Sequence, residues 1–305
     1  MSIDTHQHLV PPRYAAWLAD RGWHLPVPDW SPDAALTTMD GLGIETALLS
    51  VTTPGLYRAD DKQARALARE VNEYAAGEVG QRPERFGFLA TLPLPDAEGA
   101  VAEAAYALDE LHADGVVLMA NAAGRYLGDP AFAPLYAELD RRGAVLLVHP
   151  IFPAALGPPA AIGNPRSDVD LLHQTTRSAV DLVAAGTLAR FPRLRVILSH
   201  AGGYLPYMAH RIAAMCAPDG SYPAGLEVLR QFWFDVALSS GAATLDALLA
   251  FAAPGHVLFG TDWPYATPAV IEHFGAELAG YPLTPGQRAA ILRTAAEELF
   301  PRLRR

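Results

Sequence analysis

Lysine is almost missing from this chain. Among 23 Lys and Arg residues only Lys62 is lysine, and it lies in the charged stretch from Asp60 to Glu73, which reads as helix. Schiff-base chemistry and carbamylated-lysine metal bridges are therefore disfavoured. Cysteine is as scarce: Cys216 stands alone, which excludes an intramolecular disulfide framework and any CxxC motif and fits a reducing compartment. Positive charge is in deficit, with 23 basic against 33 acidic residues and a formal charge of -10. That balance argues against a sequence-independent grip on nucleic acid or anionic lipid and favours a small-molecule partner. No basic n-region followed by an apolar h-region opens the chain. The apolar run from Leu245 to Phe259 is broken at Pro254-Gly255-His256 and is too short to span a bilayer. The expectation is a cytoplasmic protein with no membrane partner.

What is present is apolar material in quantity. The 305 residues are 51% hydrophobic with a mean hydropathy of +0.12, enough for a full core. Short β-branched runs alternate with helical patterns, the signature of βα repeats around a parallel sheet. Eight strands are predicted: Ser2 to His6, Ile44 to Val51, Phe86 to Thr91, Gly115 to Met119, Ala144 to His149, Arg195 to His200, Gln231 to Val236 and His256 to Thr261. Helices are predicted at Ser31 to Gly41, Gln63 to Val79, Ala97 to Ala113, Leu171 to Leu188, Thr244 to Ala252 and Pro285 to Phe300. Ser31, Asp96 and Thr284 are their candidate caps. Eight units at this length favour a (β/α)8 TIM barrel; an open doubly wound sheet would want a Gly-rich phosphate loop after the first strand, and none is there. One domain, 1–305, is expected, with long strand-end loops at about 9–30 and 151–170, where barrel enzymes cover their active sites.

The polar residues that end the apolar runs carry the chemistry. His6 and His8, at i and i+2, point to one face of the first strand and can share an ion. Taken alone, such a pair is as often a hydrogen-bonded core histidine with its neighbour. Yet His149 closes Ala-Val-Leu-Leu-Val-His-Pro, His200 closes Val-Ile-Leu-Ser-His-Ala-Gly-Gly, and Asp262 closes Val-Leu-Phe-Gly-Thr-Asp-Trp-Pro. Any one of these reads as a turn or cap residue. Their coincidence at one end of four strands points to a metal site.

Ile-Asp-Thr-His-Gln-His, Val-His-Pro, Ser-His-Ala-Gly-Gly and Phe-Gly-Thr-Asp-Trp-Pro resemble the amidohydrolase superfamily, and within it the aminocarboxymuconate-semialdehyde decarboxylase branch. The resemblance covers essentially the whole chain in motif order. Leu49-Ser-Val-Thr, Arg141-Arg-Gly-Ala-Val, Ser199-His-Ala-Gly-Gly-Tyr-Leu-Pro and Phe251-Ala-Ala-Pro-Gly-His-Val-Leu-Phe-Gly are most similar to 6-methylsalicylate decarboxylases. The resemblance implies one divalent ion held by His6, His8, His149 and Asp262, with His200 beside it as an acid/base or substrate-orienting group. Three imidazoles and one carboxylate leave such a site positive toward an anionic substrate, with zinc the default metal and manganese the alternative. Binuclear relatives use a lysine at the fourth strand, which here ends Leu118-Met-Ala-Asn121, so a mononuclear site is expected. A homodimer or larger homo-oligomer is likewise implied.

The leading expectation is non-oxidative decarboxylation of a 2-hydroxybenzoate of the 6-methylsalicylate type, with Asp262 as proton donor and His200 holding or recharging it. The rivals are a mononuclear zinc hydrolase or hydratase using the same residues, and a silent metal-binding scaffold. His173, Trp263, Arg125 and Arg166 are candidate substrate contacts, with Arg13 a further loop arginine; a loop arginine is more often simply solvated. Gln174-Thr-Thr-Arg177 matches a family segment that often carries glutamate in place of Gln174. Relatives acting on a dicarboxylate carry an arginine on the helix after the first long loop. Trp30 to Asp40 has none, which points to a monocarboxylate.

Overall fold

In the computed structural model, which describes residues 1–23, 27–56, 59–152, 169–217 and 219–304, eight parallel strands form a barrel. They are Ser2–His8, Ile44–Ser50, Phe86–Thr91, Gly115–Met119, Val145–His149, Arg195–Leu198, Trp233–Asp235 and Val257–Leu258, paired in that order. Backbone bonds beyond the last strand close the ring: Thr5 N–H donates to the Phe259 carbonyl at 3.0 Å, Asp262 N–H to His6 at 2.8 Å and His8 N–H to Trp263 at 2.7 Å. The barrel interior is a layer of Ile3, Leu48, Leu89, Val117, Leu147, Ile197, Trp233 and Leu258, plugged at the N-terminal end of the strands by Leu299, Phe300 and Leu303. A larger apolar shell lies between strands and helices. With its interior filled by side chains the barrel has no central pore, so chemistry is confined to the strand ends.

Several elements differ from expectation. The first strand runs on to His8, and its register against the second shifts between Asp4 and Gln7. Such an irregularity changes which parity faces inward, from Ile3 in the core layer to His6 and His8 in the site. The sixth strand ends at Leu198 rather than His200, because His200, Ala201, Gly202 and Gly203 all have φ between 54° and 72° and leave the sheet. The seventh and eighth ladders are shorter than expected. The loop at about 9–30 contains a helix, Pro12–Asp20, whose Tyr14, Trp17 and Leu18 are buried at i, i+3 and i+4. The helix expected over Leu171 to Leu188 ends at Ala184, where Gly186 turns left-handed (φ 68°). The helix Ala97–Asp109 stops short of Ala113. The final one contains a π-helical turn at Ala290–Thr294. Ser31, Asp96 and Thr284 each accept the backbone N–H of the third helical residue, as caps do.

Candidate metal centre and active site

Five side chains converge at the C-terminal mouth. Ligand atoms of His6, His149, His200 and Asp262 all lie within 4.8 Å of one another. His8 faces the same point, its Nε2 3.1 Å from His6 Nε2 and 2.9 Å from Asp262 Oδ1. His6 Nε2 stands 3.6 Å, and His200 Nε2 3.9 Å, from the Asp262 carboxylate.

The fit to a divalent ion lies in what the other ring nitrogens do. His6 Nδ1 is 3.0 Å from Asp235 Oδ2, His8 Nδ1 is 3.1 Å from the Ser50 carbonyl, and His200 Nδ1 is 2.9 Å from the Ala237 carbonyl. His149 Nδ1 is 2.8 Å from the Pro150 carbonyl, with the Thr52 hydroxyl 3.1 Å from the same ring. Without an ion His8 Nε2 hydrogen-bonds the Asp262 carboxylate and the Thr52 hydroxyl lies 3.1 Å from both His149 nitrogens. With an ion in place, the four acceptors on the Nδ1 side favour a proton on Nδ1 and an Nε2 lone pair turned to the centre. That is the tautomer metal-ligating histidines need.

The electrostatics of this arrangement without metal are unbalanced. Burial pulls His6 down, but the Asp235, Asp262 and Asp4 carboxylates outweigh it and hold the ring's pKa at about 9. Burial drives His8 below the usual imidazole range, and His149 well below it, with the neighbouring imidazoles adding to the effect. Burial opposes ionisation of Asp262, yet the His8 hydrogen bond and the His6 and His200 charges hold it well below the carboxylate range. The cluster therefore keeps its carboxylate ionised and concentrates excess proton on His6, the place a cation would occupy.

The profile of the amidohydrolase family matches residues 3–302. The chain belongs to the amidohydrolase family. This amidohydrolase is 41% identical to 6-methylsalicylic acid decarboxylase acuB of Aspergillus aculeatus, over 100% of this chain and 97% of that one. It is 40% identical to the 6-methylsalicylic acid decarboxylase of Penicillium expansum, over 99% and 97%. Among solved structures, an amidohydrolase II crystal structure superposes with a TM-score of 0.92 at 30% identity, covering 99% of this chain and 100% of the other.

Other expected contacts are placed as follows. Trp263 is buried directly after Asp262. Arg125 is exposed and bidentate with Asp129, at 2.8 and 2.9 Å, so its charge is already engaged. Arg13 pairs with Glu70 at 3.2 Å on the surface. His173 is exposed on the helix Leu171–Ala184, whereas Gln174 is buried and its Oε1 accepts from Asn121 and from the Tyr126 hydroxyl, both at 3.0 Å. Arg166 lies outside the described residues. Four participants were not singled out in the sequence: Asp235, Thr52, Asp4 and Tyr265. Asp4 is fully buried and ties the first strand to the segment after the eighth, accepting from the Thr261 backbone at 3.1 Å and hydroxyl at 2.6 Å. The Tyr265 ring stands edge-on to His8 at 5.6 Å, and its hydroxyl makes no hydrogen bond among the described residues. Asp235 had one legible signal: a carboxylate among the apolar Trp233, Phe234 and Val236.

Proposed function

We propose that this amidohydrolase is a metal-dependent, non-oxidative decarboxylase of a 2-hydroxybenzoate, with a 6-methylsalicylate-like acid as substrate, in keeping with its relatives. The observation that carries the reading is the gradient of exposure across the cluster. The side chains of His6 and His8 are 0% exposed, that of His200 8% and that of Asp262 13%. A substrate entering the mouth meets Asp262 and His200 first.

His6, His8, His149 and Asp262 would hold the ion. Three nitrogens and one oxygen suit zinc, with manganese as the alternative that metal analysis separates. Bound there, a divalent ion supplies positive charge for the carboxylate and ortho oxygen of the substrate and for the ring as negative charge develops. Asp262, ionised at rest, takes a proton from His200 and delivers it to the ring carbon that bears the carboxylate. The bond to the carboxylate carbon then breaks, its electron pair restores the ring, and carbon dioxide departs. The Nδ1 bond of His200 to the Ala237 carbonyl keeps its Nε2 turned toward the Asp262 carboxylate. Trp263 and the edge-on Tyr265 wall the ring. The helix Pro32–Leu42 has no basic residue, which favours substrates with a single carboxylate.

A homodimer or larger assembly and a cytoplasmic setting belong to the same reading. No described helix is long and apolar enough to cross a membrane. Sedimentation of the purified chain tests the assembly.

The reaction class is tested by incubating the metal-loaded protein with a panel of 2-hydroxybenzoates in heavy water. The expected product is a phenol carrying one deuterium where the carboxylate stood, with equimolar carbon dioxide. Turnover of esters, lactones or amides with oxygen incorporated from labelled water, and no carbon dioxide from any aromatic acid, would assign the hydrolytic rival instead.

A further inference from the structure

Asp235 closes the seventh strand, is completely buried, and is flanked by the apolar Phe234 and Val236. A fully buried carboxylate demands an account, because desolvation alone would make it costly. Its two oxygens divide their work. Oδ2 lies 3.0 Å from His6 Nδ1. Oδ1 accepts the backbone N–H of His200 at 3.1 Å and that of Ala237 at 3.0 Å. Ala237 in turn offers its carbonyl to His200 Nδ1 at 2.9 Å. Both the backbone and the imidazole of His200 thus depend on one carboxylate that also sets the tautomer of a metal ligand.

We infer that Asp235 is a positioning residue that locks the metal ligand His6 and the acid/base group His200 into one unit. The chemistry of its surroundings leaves little choice of side chain. All three of its neighbours are N–H donors, so the position needs two acceptor atoms and no donor. Asparagine offers one acceptor, and its amide hydrogens must face either the His6 ring or the two backbone N–H groups. If they face His6, the ring must move its proton to Nε2 to accept from them, and Nε2 ceases to be a ligand atom. If they face the backbone, His200 loses its anchor. His200 has need of one, since its φ is 54° and that of Ala201 is 55°, left-handed values that non-glycine residues keep only when their surroundings enforce them.

This inference rests on the metal centre and not on the reaction assigned to it, so the test reads metal and tautomer. Wild-type protein and the Asp235→Asn and Asp235→Glu variants are loaded with zinc, and affinity is measured by chelator competition. Zinc binding by the wild type reports on the centre itself; the ratio of variant to wild type reports on Asp235. Asn is expected to lower zinc affinity by about 10- to 100-fold, with Glu, which keeps two acceptors, recovering part of the loss. Nitrogen NMR of the zinc-loaded wild type with labelled histidine needs no variant and guards against an Asn form that fails to fold. It should show both His6 and His200 protonated on Nδ1. Wild-type zinc affinity in a folded Asn variant, or either ring without its Nδ1 proton in the wild type, overturns the inference.

Discussion

Gly260 shows how little room a single residue has here. A Cβ on it would come within 2.8 Å of His6 Cβ and 3.4 Å of both Ala237 and Asp235. Its backbone is ordinary, so the glycine serves close approach and not an unusual turn. Gly260→Ala should therefore push His6 off its position, with an overpacking cost of about 1–3 kcal/mol. Thermal unfolding and bound zinc should fall together. Asp262→Asn tests the proton donor: an amide can still offer an oxygen to the ion but has no acid proton to give. Turnover under saturating metal should drop by about 10²- to 10⁴-fold, measured as carbon dioxide release. Tyr265→Phe removes a hydroxyl that has no hydrogen-bond partner among the described residues. Burial and the Asp262 charge push its phenol up, so it is a neutral donor at neutral pH. Loss of one hydrogen bond to a charged substrate should raise KM about tenfold with a smaller change in kcat.

At the scale of elements, the site is held by the contact between the helix Leu171–Ala184 and the left-handed segment His200 to Gly203. Thr176 Oγ1 accepts the Tyr204 backbone N–H at 2.8 Å and donates to the Leu172 carbonyl at 3.0 Å. At Gly203 a Cβ would meet the Leu172 carbonyl at 2.3 Å and Thr176 Oγ1 at 2.7 Å. Thr176→Val should leave the barrel folded and lower kcat more than zinc content, with Thr176→Ser restoring it; metal analysis beside initial rates checks this. The sequence revealed the strand-end histidines because each closes a strand-like run and the i, i+2 spacing puts His6 and His8 on one face. That this face is the inner one depends on the register shift between Asp4 and Gln7, which alternation from Ile3 does not show. It could not reveal the helix Pro12–Asp20, whose flanking prolines read as loop until Tyr14, Trp17 and Leu18 are seen packing inward. Nor did it show what the carboxylate of Asp235 or the hydroxyl of Thr52 serves, since they act on residues more than 30 and 90 positions away, His200 and His149. Hydrogen bonds of that span follow from barrel closure and leave no local pattern.

For the whole molecule, His6 is where a proton and the proposed metal would compete. Its pKa of about 9 without metal lies above the ordinary 6.5, so its contribution to metal-free stability is complete below 6.5 and is lost as pH rises through about 9. Zinc binding needs the ring neutral and so gains as the same proton leaves. The gap in unfolding temperature between zinc-loaded and metal-free protein should widen from pH 6.5 toward pH 9. Calorimetric scans across that range check it, and a gap that narrows would contradict the sign.

The barrel's seam gives the ion a second consequence. The ring is closed by amides of Thr5, His8 and Asp262 bonding across from the first strand to the segment beyond the eighth. His6, His8 and Asp262, three of the proposed ligands, stand on the two sides of that seam. An ion there would rivet the two ends of the sheet together, and the seam would become the part of the barrel whose opening depends most on metal. Amide hydrogen exchange at Thr5, His8 and Asp262 should slow on loading far more than at the Val117 and Leu147 pairing on the opposite wall.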